Sequence, residues 1–278
     1  MKLTHLALTA LTALALSGCA KSDKPNLILH VFECGHVEVS DISIFSPGVD
    51  EGVTKHLTNS CYLIQHEKGK LIWDTGLPDA MAGNPGEAFG GKLKLTVTNP
   101  LSKQLAEINV NPADIDYLGL SHFHGDHTGN ANLFKNAALL IQQAEYDAAF
   151  GENPAQFGFN PASYDQINKE KINILDGDYD VFGDGSVVVK TAPGHTPGHQ
   201  VLFVNLAETG PVVLSGDLYH FTKNREHKRV PSFNFDKEQT LAAMDVIEQF
   251  VDAEGAQFWI QHDLEQNKTI KHSPEFYK

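Results

Sequence analysis

Short apolar runs, each ended by a polar or charged residue, set the rhythm of this chain. Residues 27–32, 61–65 and 70–73 read as early strands and 100–108 as a helix. Later runs at 116–120, 138–141, 187–190, 200–204, 211–214 and 258–260 are short, branched or aromatic, as buried strands are. Residues 143–150 predict a helix, and 236–251 a longer one. Asp236 stands where a cap is needed, and Leu241, Met244, Ile247, Glu248 and Val251 follow an amphipathic spacing. The stretch 151–169 is irregular. No linker or change of composition divides residues 27–278, which predicts one domain of packed layers. Periodicity by itself gives only mixed α and β.

The polar residues that end these strands carry the chemistry. Strand 116–120 runs into Ser121-His122-Phe123-His124-Gly125-Asp126-His127, three histidines and an aspartate within six positions. Neutral imidazole and carboxylate together suit zinc and similar divalent ions. Crowding keeps four such side chains from sharing one ion that also has an open position. The natural division is His122 and His124 on one ion, Asp126 and His127 on another. Three more strand ends supply the missing donors: His195 in the loop after 187–190, Asp217 after 211–214 and His262 after 258–260. Five histidines and two aspartates suffice for two ions if Asp217 gives one oxygen to each. His199, at the start of a strand, reads as structural. His30, His36, His56, His66, His227 and His272 read as surface or packing residues.

This order of motifs, His-x-His-x-Asp-His, then Gly194-His195, Gly216-Asp217 and His262, resembles the metallo-β-lactamase superfamily, and Asp74-Thr75-Gly76 matches its early turn. Residues 192–200, 176–179 and 262–266 resemble one branch in particular, the metal-dependent N-acyl homoserine lactonases. The resemblance implies an α+β fold, a four-layer αββα sandwich. It also implies a di-metal hydrolase that opens lactone rings by attack of a metal-bridging hydroxide. Two Zn²⁺ per chain are the expected cofactors, with Mn, Fe or Co admitted by the same donors. By the same resemblance Asp126 passes on a proton and Asp74 orients the metal loop. Relatives of this branch place a tyrosine three residues after the bridging aspartate. Here that position is His220, with Tyr219 one step earlier, so both are candidate catalytic groups. Gly125 stands where many relatives carry a bulky side chain. Glyoxalase II-like thioesterases and aryl-ester or organophosphate hydrolases are the rival enzyme readings; a metal-stabilised surface lipoprotein without activity is the remaining one. Asp217 counts against a β-lactamase.

Outside the motifs, the first residues read as a lipoprotein signal peptide over 1–18: Lys2, a short uncharged run, then Leu-Ser-Gly before Cys19. Cys19 resembles the acylated cysteine of a bacterial lipobox, 19–26 is the tether, and 27–278 the hydrolase domain. Ala20 after that cysteine implies outer-membrane sorting. Membrane attachment is expected through the lipid alone. The chain carries a formal net charge of −14, and without residues 1–18 it keeps 20 basic against 35 acidic residues. That balance excludes a nucleic-acid partner. The one basic cluster, 223–229, reads as a solvated loop. Cys34 and Cys61 read as two free buried thiols, with a disulfide between them the alternative in an oxidising compartment. Phe89, Leu93, Leu95, Phe123, Phe157, Phe159 and Phe221 are candidates to line an acyl-chain pocket, beneath a flap at 78–99. Assembly is left open, with a homodimer allowed.

Overall fold

A computed structural model describes residues 25–278. The signal peptide expected at 1–18 and the acylation site at Cys19 lie outside the described residues. Thirteen strands form two sheets among the described residues. The first holds β1 (Ile28–Val39), β2 (Lys55–His66), β3 (Gly69–Trp73), β4 (Gly86–Ala88), β5 (Leu93–Thr96), β6 (Tyr117–Gly119), β7 (Ala138–Gln142) and β8 (Ile172–Leu175), in the order 4-5-1-2-3-6-7-8. The second holds β9 (Tyr179–Asp180), β10 (Val187–Thr191), β11 (Gln200–Leu206), β12 (Gly210–Leu214) and β13 (Gln257–Trp259), in the order 13-12-11-10-9.

Strand alternation builds the layers. On β2, Tyr62 and Ile64 face the second sheet, while Cys61 and Leu63 face the helices outside. On β11, Leu202 and Val204 join the same inter-sheet core, and Val201 and Phe203 turn to the other side. Six α-helices accompany the strands among the described residues: α1 (Leu101–Glu107), α2 (Gly125–Thr128), α3 (Gln143–Phe150), α4 (Thr222–His227), α5 (Lys237–Glu254) and α6 (Leu264–Asn267). Leu101 and Leu105 of α1 and Ala148 and Ala149 of α3 cover the first sheet; Ala243, Met244, Ile247 and Val251 of α5 cover the second. The result is the αββα sandwich. Asp236 caps α5 by accepting the Gln239 N–H at 2.9 Å, as its sequence predicts.

Several expectations are corrected. Cys34 and Cys61 form a disulfide, because β1 and β2 pair with a bulge between Glu33 and His36 that sets the two side chains together. Residues 222–227 are helix α4 rather than a solvated loop: Arg225 makes a two-pronged pair with Glu248 at 2.7 and 2.8 Å, and Lys228 pairs with Asp245. The flap of 78–99 contains a hairpin, β4–β5, that extends the first sheet alongside β1. The periodicity also misses β8 and shortens β1, whose polar half, Glu33 to Val39, hides its strand character.

Candidate metal centre

Five strands end at one edge of the sandwich, and each hands its next residues to the same place. β3 leads to Asp74, β6 to His122, β10 to His195, β12 to Asp217 and β13 to His262. β3 and β6 are parallel neighbours, as are β12 and β13, so their ends point the same way.

The donors fall into two sets. His122, His124, His195 and Asp217 bring ligand-type atoms within 4.8 Å of one another, and so do Asp126, His127 and His262. Asp217 stands between them. Its Oδ2 lies 3.3 Å from His195 Nε2 and 3.7 Å from His122 Nε2; its Oδ1 lies 3.0 Å from His262 Nε2 and 3.2 Å from His127 Nε2. Each carboxylate oxygen thus faces one set. Asp126 completes the second set, with its oxygens 3.8 Å from His262 and 3.9 Å from His127. The division expected from the sequence, His122 with His124 and Asp126 with His127, is the division of the structure.

The hydrogen-bond network fixes which ring nitrogens carry lone pairs. His195 donates Nδ1–H to Asn234 Oδ1 at 2.9 Å, His262 donates Nδ1–H to the Thr58 carbonyl at 2.8 Å, and His127 donates Nδ1–H to Asp74 Oδ2 at 3.0 Å. His124 is turned the other way and donates Nε2–H to the Phe157 carbonyl at 3.1 Å. The atoms that remain, Nε2 of His195 and Nδ1 of His124, are both acceptors, yet they face each other at 3.1 Å. In the second set the buried His127 Nε2 and Asp217 Oδ1 have no hydrogen-bond partner. Converging lone pairs without a proton between them call for a cation, so the donor sets fit metal ions.

Charge leads to the same place. Burial, and then its histidine neighbours, hold His122 well below the usual imidazole range, and His124 is lowered to about 3 for the same reasons. Burial alone would lower His127 too, but Asp217, Asp74 and Asp126 raise it well above that range. Three carboxylates around one buried ring favour positive charge there.

Supporting groups come from far along the chain. Asp74 accepts the Ser121 N–H at 2.7 Å as well as the His127 proton, tying both ends of the loop 121–127. His199 accepts the Asp217 N–H at 2.9 Å and donates to the Ala192 carbonyl at 2.9 Å, a structural task. Gly216 has φ +47°, and a Cβ there would meet His199 Nε2 and Ser121 Cβ at 2.6 Å, so only glycine brings Asp217 this close. Asn59, which donates Nδ2–H to the Asp126 carbonyl at 2.7 Å, joins Ser121, Asn234 and the Thr58 carbonyl as supports that the sequence reading missed. Nothing in their local patterns marks them.

A cavity of about 340 Å³ opens over the two sets. Asp126, His124, Asp217, His220 and His262 line its floor, and Val37, Phe45, Leu57, Leu77, Met81 and Phe233 are among its apolar walls. Phe89, Leu93 and Leu95 line it as expected. Phe123 and Phe159 do not: they pack into the core beneath the helices, and Phe221 packs behind Phe45. Phe157 is partly buried against that same helix-side core. Gly125 lies in the lining, and a Cβ there would meet nothing within 4 Å. His220 reaches the floor with Nε2 3.1 Å from Asp217 Oδ2, stacked on His262 and 4.6 Å from the Phe45 ring. Tyr219 does not reach it. Its ring turns into the core against Phe258 instead.

Residues 55–253 match the Metallo-beta-lactamase superfamily. The chain is 30% identical to the N-acyl homoserine lactonase of Bacillus thuringiensis over 249 residues, 85% of this chain and 93% of that protein. It is also 30% identical to N-acyl homoserine lactonase AttM of Rhizobium radiobacter, over 78% of this chain and 86% of that one. Among solved structures, N-acyl homoserine lactone hydrolase with the product N-hexanoyl-L-homoserine bound at its catalytic metal center is similar at 28% identity. That likeness has a TM-score of 0.79 and covers 91% of this chain and 99% of the other.

Proposed function

We propose that this chain, which belongs to the metallo-beta-lactamase superfamily, is a metal-dependent hydrolase that opens the ring of N-acyl homoserine lactones, a quorum-quenching activity. The observation that carries the reading is Asp217, buried between two donor sets with one oxygen toward each, on the floor of a largely apolar cavity. His122, His124 and His195 would hold one ion, Asp126, His127 and His262 the other, and Asp217 both. Zinc is the ion expected, and Mn, Fe and Co suit the same nitrogen and oxygen donors. When bound, a pair of divalent ions supplies Lewis acidity, acidifying water and polarising an ester carbonyl.

The residues of the chain do the rest. Asp126, whose side chain is 30% exposed toward the cavity, takes up the proton released on attack and returns it to the leaving alkoxide. His220 presents Nε2–H beside Asp217 Oδ2, where it donates to the carbonyl or ring oxygen of the lactone. The apolar wall receives the acyl chain and keeps water from it.

The test is proton release when zinc-loaded protein meets homoserine lactones of short and long acyl chain, beside Asp217→Asn and chelator-treated samples. Ring opening that needs both metal and Asp217 is expected. No lactone turnover with two metals still bound would overturn the activity while leaving the fold in place.

The same proposal keeps the chain exported and held to the outer membrane by acylation of Cys19. The disulfide between Cys34 and Cys61 supports an oxidising compartment. Among the described residues no helix is long and apolar enough to cross a membrane. Incorporation of a labelled fatty acid into the wild type and not into Cys19→Ser is the expected result, and labelling of neither would remove the anchor.

A further inference from the structure

Glu145 is a fully buried carboxylate for which the chemistry above has no use. It sits in the first turn of α3, outside the sheet, and reaches inward between two loops. One of its oxygens accepts the Phe123 N–H at 3.0 Å and the Thr196 hydroxyl at 2.9 Å. The other accepts the Gly198 N–H at 2.8 Å. Phe123 lies between His122 and His124; Thr196 follows His195 directly. No Lys or Arg pairs with this carboxylate among the described residues. A Cβ on Gly198 would stand 2.5 Å from the Glu145 backbone nitrogen, so glycine is needed for the second loop to come within reach.

We propose that Glu145 is a positioning residue that clasps the two loops carrying His122, His124 and His195, and so sets the spacing of that one donor set. Asp126 and His127 of the second set follow on the first of these loops but lie in α2, beyond the tied Phe123 N–H, and His262 is on neither loop. His262 is held by Thr58 and His127 by Asp74, neither of which touches Glu145. Burial pushes the Glu145 carboxyl up to about 7 against the three donors that favour its charged form, so the fold keeps a costly group at this spot. An uncharged side chain would fill the space at lower cost, but it would not tie both loops through their N–H groups. The inference rests on the metal roles proposed above.

The experiment titrates metal from the full chain with a competing chelator, following the absorption of the cobalt-loaded protein. The variants His124→Ala and His262→Ala assign each of the two affinities to its donor set. Glu145→Gln keeps the volume but turns an amide N–H toward the Gly198 N–H. It should weaken the His122/His124/His195 set by about 10- to 100-fold and shift that set's cobalt spectrum, with the other set little changed. Thr196→Val, which removes one contact of the clasp, should do the same to a smaller degree. Thermal unfolding of the metal-free variants measures any general loss of stability. Equal weakening of both sets in step with a lower Tm, or no weakening of either, would overturn the proposal. If Glu145→Gln does not fold, Thr196→Val decides by the same two criteria. A wild-type chain that binds no metal would remove the metal roles themselves, a separate failure.

Discussion

On the floor of the cavity every metal-site histidine is tied down through the ring nitrogen that does not face the centre. His122 is held by Ser121, His127 by Asp74, His195 by Asn234, His262 by Thr58 and His124 by Phe157. The roof is built otherwise. The β4–β5 hairpin adds to the edge of the first sheet, its tip has Phe89, Gly90 and Gly91 all at positive φ, and the Phe89 ring is 55% exposed. It touches the opposite rim through a ring contact of Phe89 with Phe233 at 5.4 Å. The floor has converging lone pairs that must be held apart at fixed distances, so it is stiffened by hydrogen bonds to groups far along the chain. The roof only has to cover an apolar chain, and a few rings suffice. Reaction type is therefore a property of the floor, and substrate choice a property of the roof.

Substitutions that break the floor should have the largest effects. Asp217→Asn replaces one charged oxygen of the shared carboxylate by an amide nitrogen, which leaves one set without its donor. Turnover should fall by about 1,000-fold or more, and metal content below two per chain by elemental analysis. His220→Ala removes a hydrogen-bond donor and no metal ligand. It should lower kcat by about 100-fold with two metals retained, and unchanged kcat would make His220 a bystander.

Changes to the roof should sharpen the contrast by acting on chain length. Gly125→Phe puts a ring into the open space beside His124 and should reduce kcat/KM for long acyl chains by about tenfold, sparing short ones. Shortening the hairpin between residues 84 and 92 should weaken long chains more than short ones in the same assay, and an equal loss for both would deny the roof its role. Smallest in its effect on turnover is the disulfide, which lies beneath the Gly76 turn and away from the donors. Cys34→Ser with Cys61→Ser should leave kcat near the wild-type value. It should lower stability by about 3 kcal/mol in denaturant unfolding, since the bond closes a loop with a sequence separation of 27 residues.

The donors themselves were legible because their residue types and their places just past apolar runs carry the information locally. Five histidines and two aspartates at strand ends imply a divalent-metal site wherever the strands converge, and the motif order added the layer architecture. The long helix at 236–251 was legible for the same reason, from its cap and its spacing. Pairing was not. Cys34 and Cys61 meet because a bulge fixes the register of two strands, and residues 222–227 form a helix that Glu248 and Asp245 of α5 brace through Arg225 and Lys228. The supports of the metal site were equally hidden. Asn234 meets His195 from 39 residues away and Thr58 meets His262 from 204, separations over which no local pattern reports. By itself the sequence determined which atoms are available to bind metal and in what order. Tertiary structure alone decided which lone pairs face one another and that His220 rather than Tyr219 looks into the cavity. The physical reason is that side-chain chemistry is a property of each residue, whereas distance and direction are set by the packing of strands far apart in the chain.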